Sequence, residues 1–75
     1  MKIRIVGASD YEFDASNYSL VSDIKLKFLD ATDRSDFDTD HCIFLFAGKK
    51  LENERPLYSI YNLRSNMVII WMLID

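Results

Sequence analysis

"VIIWMLI", Val68 to Ile74, is seven residues without one polar side chain. That is the length of a strand, far short of the roughly 20 apolar residues a membrane-spanning helix needs. A strand with one wet face alternates apolar and polar residues, whereas one covered on both faces need not. The register of this stretch therefore decides the fold's inner and outer surfaces. A slip of one residue exchanges the set that closes the core with the set that faces away.

Working outward, "MKIRIV" (Met1–Val6) alternates, with Met1, Ile3 and Ile5 on one face and Lys2, Arg4 and Val6 on the other. This is the two-residue period of a half-buried strand. "GASD" is a turn signal opened by Gly7, and "YEFDA" then groups Tyr11, Phe13 and Ala15. The pair reads as a β-hairpin. "SNYS" breaks the pattern, and Ser19 or Ser22 is placed to cap a helix. Asp23 sits near the positive end of its dipole. Val21, Ile24 and Phe28 recur at helical spacing, Leu26 and Leu29 widen the stripe, and Lys25 and Lys27 point outward. The helix fades around Asp30 to Asp33.

"DATDRSDFDTD" (Asp30–Asp40) holds five aspartates and one large apolar residue, an exposed acidic loop pinned to the core by Phe37. "CIFLF" (Cys42–Phe46) is a strand, and "AGKK" is a turn in which Gly48 is free to adopt positive φ. "KKL" adds a short edge strand. "NERPLYSIYNL" contains Pro56 and predicts a turn and a one-turn helix, with Leu57 and Leu63 dipping inward. The order β-β-α-β-β-β is that of an α+β fold, a mixed sheet packed on one helix. The first and last strands lie parallel as neighbours, which is the β-grasp arrangement.

The chain has 75 residues, enough for one domain, 1–75, with an economical core. Its net charge of −3 and scattered basic residues argue against a nucleic-acid binder, which needs clustered Lys and Arg. No apolar run suits a signal peptide or a membrane span. One cysteine, Cys42, allows no internal disulfide and fits a reducing compartment.

"LFAGKKLE" followed by "YNL" resembles the "IFAGKQLE" and "YNI" of ubiquitin, "MKIRIV" is similar to its opening strand, and "LVSDIKLKF" matches its helix spacing. The resemblance covers nearly the whole chain, with Phe46-Ala47-Gly48-Lys49 its most specific part. The longer helix-to-strand loop with Phe37, and the aliphatic last strand after Asn66, resemble the N-terminal ubiquitin-like domains of UV-excision-repair proteasome shuttles. The chain departs from conjugated relatives in ending "WMLID" rather than Gly-Gly.

The resemblance implies that Val68, Ile70 and Met72 face the helix and that Ile69 and Trp71 lie on the outer face. It places Leu45 at the centre of a recognition patch, bordered by Gly48 and Lys49, extended by Val6 and flanked by Arg4. It implies binding of ubiquitin-interacting-motif helices, ubiquitin-associated domains or receptors on the proteasome's regulatory particle, in the cytoplasm and nucleus, by a monomeric domain. No membrane or direct nucleic-acid partner is implied. An exposed apolar cluster with a Trp anchor suits such a use on physical grounds as well. Two other readings stand beside it: a modifier whose Gly-Gly tail lies beyond Asp75, and a structural subunit docked permanently through its outer face.

The remaining chemistry is sparse. "DFDTDH" has the alternation of a calcium loop but His41 at its glycine position and Ala47 at its glutamate position. His41 and Cys42 are adjacent, so they point to opposite faces of a strand and suit neither a zinc site nor a nucleophile-base pair. Lys49 aligns with a linkage lysine of ubiquitin but reads as a surface lysine. With Gly only at positions 7 and 48, no phosphate-cradling loop can be built. The chain reads as a non-enzyme that requires no cofactor or metal.

Overall fold

The computed structural model describes residues 2–7, 10–60 and 67–73. Strands β1 (Lys2–Val6) and β2 (Tyr11–Asp14) precede helix α1 (Val21–Ala31). Strands β3 (Cys42–Phe46), β4 (Lys49–Lys50) and β5 (Met67–Leu73) follow it, with 3-10 turns at Thr39–His41 and Leu57–Ser59. The five strands form one sheet in the order β2-β1-β5-β3-β4. The β1–β5 pair is parallel and the other three are antiparallel. One helix packs on this mixed sheet, a β-grasp-like α+β fold.

Each strand shows its alternation in burial. Ile3 and Ile5 of β1, and Cys42, Phe44 and Phe46 of β3, are buried. They meet Val21, Ile24, Phe28 and Leu29 of α1. Phe28 and Phe44 meet edge to face at a centroid distance of 5.9 Å. Phe37 packs partly buried against this core, pinning the acidic loop as its isolation among aspartates predicts.

The helix starts differently from the sequence expectation. Leu20, not a serine, is its N-cap, and its N–H donates to the Asp23 carboxylate at 3.1 Å. The N–H groups of Val21 and Ser22 donate to the carbonyls of Arg55 and Asn53, each at 2.9 Å. The segment after β4 thus satisfies donors that a serine side chain was expected to help satisfy. Two side chains on the helix also differ from their expected places. Lys25 is buried, and Leu26 is exposed. The expected inward turn of Leu63, and the "YNL" part of the resemblance, lie outside the described residues.

The β3–β4 hairpin closes in two residues, because Phe46 pairs with Lys49. Ala47 (φ 53°) and Gly48 (φ 77°) are both left-handed, as a type I′ turn requires. Gly48 was expected to take this conformation; Ala47 does so at a steric cost of about 1–2 kcal/mol.

The register of β5 is the inverse of the expected one. Ile69 and Trp71 are 0% and 7% exposed, while Val68, Ile70 and Met72 are 40%, 53% and 47% exposed. Both neighbours impose this choice. Ile5 pairs with Ile69, and Phe44 with Trp71, and paired residues share a face of the sheet. Since Ile5 and Phe44 face the helix, Ile69 and Trp71 must as well. The indole then meets the Phe28 ring at 4.8 Å, edge to face, with the Arg34 guanidinium 4.9 Å from its ring centre. An aromatic of this size buries about 150–250 Å², more than the aliphatics that would replace it inside. Gly7 makes room for it: a Cβ there would stand 2.7 Å from the indole Nε1.

Candidate functional site

The outer face of the sheet follows from the same pairings. Val6, Ile70 and Leu45 sit side by side across β1, β5 and β3. Met72 lies beside Ile43, and Val68 beside Arg4. Ile43, Leu45 and Val6 are half-buried, and the three β5 residues are more open. Together they make one apolar surface over the three central strands.

Of the residues expected in a recognition patch, Leu45, Val6 and Arg4 lie on this face. Gly48 and Lys49 stand exposed at the β3–β4 turn beside it. Ile69 and Trp71 do not belong to it, being in the core. Their places are taken by Val68, Ile70 and Met72, with Ile43, which sequence reasoning left out. The signal that locates them is pairing. Inward Ile5 and Phe44 fix β5 once strand adjacency is known, and a bare aliphatic run does not fix itself.

Charge surrounds this face unevenly. Lys2 and Glu12 form an exposed ion pair at 3.4 Å toward the β2 edge. Arg4 lies directly across from Glu12. Lys49 and Lys50 stand at the opposite edge, on β4, and no ion pair engages them among the described residues.

Beneath β3 lies a second polar feature. Lys25 is 2% exposed. Its ammonium donates to the Thr39 carbonyl at 3.2 Å and to Asn53 Oδ1 at 2.5 Å. Asn53 Nδ2 donates onward to Asp40 Oδ1 at 2.9 Å. The ammonium lies 5.7 Å from the Phe44 ring centre. Desolvation lowers the Lys25 pKa, and burial raises that of neighbouring Cys42. The arrangement ties the helix to the two loops after it and before the one-turn helix. A buried apolar stem with a hydrogen-bonded head is how a lysine is buried.

One carboxylate of the acidic loop acts locally. Asp38 caps the Thr39–His41 turn, accepting from the Asp40 N–H at 3.3 Å, and lies 3.7 Å from His41 Nδ1. Among the described residues, no three His, Cys, Asp or Glu side chains converge as a metal site would require. Cys42 is buried as a free thiol. No helix among the described residues is long and apolar enough to cross a membrane.

The sequence matches no protein-family model, and no curated protein matches it.

Proposed function

We propose that this chain is a non-covalent protein-interaction module rather than a catalyst, and that its outer sheet face receives an amphipathic helix of a partner. The observation carrying this reading is the exposure of Val68, Ile70 and Met72 at alternate positions of the central strand. Small soluble domains rarely leave such a contiguous apolar surface open without a partner for it. A helix laying an apolar stripe across it follows a common recognition mode.

The resemblance to ubiquitin-like domains suggests the partner class: ubiquitin-interacting motifs, ubiquitin-associated domains or proteasome regulatory-particle receptors, met in the cytoplasm and nucleus. Adaptor work in a proteasome shuttle is the matching role. Arg4 beside Val68 and Lys50 beside Leu45 share this face of the sheet and would steer an acidic helix toward it. One short helix buries less than a standard interface, so binding is about micromolar or weaker.

The experiment is a titration of isotope-labelled protein with a ubiquitin-interacting-motif peptide, read by amide shifts. Ile43, Leu45, Val68, Ile70 and Met72 should move together, and Ile70→Asp should remove the response. Shifts centred on α1 instead, or no shift at millimolar peptide, would sink the proposal.

A further inference from the structure

A different part of the molecule carries a second binding feature. A hollow of about 200 Å³ opens where the β3–β4 turn meets the segment leading to Ile60. Phe46, Leu51 and Ile60, core residues all, give it an apolar floor. Its other described contributors are Ala47 at the turn and three cations, Lys49, Lys50 and Arg55. No acidic residue lines it among the described residues, although the chain carries 12 Asp and Glu against 9 Lys and Arg. A third of the basic residues of an acidic protein thus gather at one apolar hollow.

Arg55 is held in place there. Its Nε donates to the Ser59 hydroxyl, and a terminal nitrogen to the Ser59 carbonyl, both at 3.1 Å. The Ser59 hydroxyl donates to the Pro56 carbonyl at 2.7 Å. A guanidinium has five N–H donors, so this anchorage leaves donors for a ligand. A fixed cation loses less freedom on binding than a loose one.

We propose that this hollow seats one bulky apolar side chain of an acidic protein segment, with carboxylates on either side of that anchor meeting Lys49, Lys50 and Arg55. The size favours a single side chain, since pockets for whole small molecules run to about 300–1,000 Å³. The charge selects the flanking residues. The floor is made of core-side residues, so the site is distinct from the apolar outer face of the sheet and stands without it.

The test uses a short peptide with one phenylalanine between three glutamates on each side, titrated into isotope-labelled protein. Amides of Phe46, Leu51 and Ile60 should shift. Replacing the phenylalanine by alanine, or the glutamates by glutamines, should weaken binding about tenfold or more. The Lys49→Glu/Lys50→Glu variant, changed only at exposed positions, should weaken it as much, and added salt should do so progressively. Ile70→Asp should leave it in place, which separates this site from the sheet face. Equal binding of the alanine peptide would reduce the effect to diffuse attraction and overturn the proposal. So would shifts at Val68 and Ile70 instead, or no binding at millimolar peptide.

Discussion

Replacing Ile69 and Ile70 one at a time by threonine tests the register of β5 directly. Threonine is β-branched like isoleucine, so strand preference is nearly preserved and burial decides the outcome. Ile69 is 0% exposed and faces the core; Ile70 is 53% exposed. At position 69 the change removes hydrocarbon from a packed site, about 0.5–1.5 kcal/mol on the Ile→Val scale. It also places a hydroxyl among apolar groups, about 1–3 kcal/mol more. The sum is about 1.5–4.5 kcal/mol. At position 70 the change should stay within about 0.5 kcal/mol, as surface substitutions do. A chain of this length has about 4–11 kcal/mol of stability in all, so the first change is severe and the second slight. Urea unfolding followed by the fluorescence of buried Trp71, the sole tryptophan, reads both. With a slope near 1 kcal/mol per molar urea, Ile69→Thr should lower the midpoint by about 1.5–4.5 M. If Ile70→Thr proved the more damaging, the pairing of Ile5 with Ile69 and of Phe44 with Trp71 would be wrong.

Other outcomes follow from particular contacts. Ala47→Gly should stabilise by about 0.5–1 kcal/mol, because relief of left-handed strain exceeds the added freedom of the unfolded chain; a lower urea midpoint would contradict the type I′ turn. Gly7→Ala should destabilise by about 1–3 kcal/mol and shift the Trp71 emission, as its Cβ would press on the indole and on the Trp71 carbonyl 3.1 Å away. In alkali, two neighbouring groups act oppositely. The folded pKa of Lys25 is lowered from 10.5, so the unfolded chain holds more protons between the two values and stability rises with pH there. The folded pKa of Cys42 is raised from 9.0, so the folded chain holds more protons above that point and stability falls. Cys42→Ala should therefore expose a steeper alkaline rise, measured as urea midpoints across that range; an unchanged profile would remove the Cys42 contribution. The Cys42 thiol should also resist alkylation at neutral pH until urea unfolds the chain, and rapid labelling of the native protein would show it to be accessible.

What the sequence disclosed depended on how strongly each segment alternates. "MKIRIV" and "YEFDA" carry polar residues on one face, so the β1–β2 hairpin and the inward set Ile3 and Ile5 could be read directly. Gly48 marked its turn, and Phe37 stood out among aspartates as an anchor. "VIIWMLI" has no polar residue to betray its outer face. Its register is set by long-range pairing to β1 and β3, which no local pattern contains. The resemblance-based assignment placed Trp71 outside, against its large gain from burial beside Phe28. Lys25 misled for a related reason: a charge on a helix is read as solvated, while its partners, Thr39 and Asn53, lie 14 and 28 residues away. The apolar patch was legible as a patch, with Val6 and Leu45 among its members; its β5 members were not.

The central place of β5 also bears on how the protein is made. Without that strand the sheet order divides into two pairs, β2–β1 and β3–β4, each of which would have an open edge where β5 inserts. Open edges and uncovered Ile3, Ile5 and Phe44 are what promote pairing with the wrong chain. Closure must join β1 to a strand more than 60 residues later, the kind of distant pairing that slows folding. A nascent chain halted before Met67 would therefore be sticky rather than half-folded. The most aggregation-prone moment of this sheet would come just before β5 arrives.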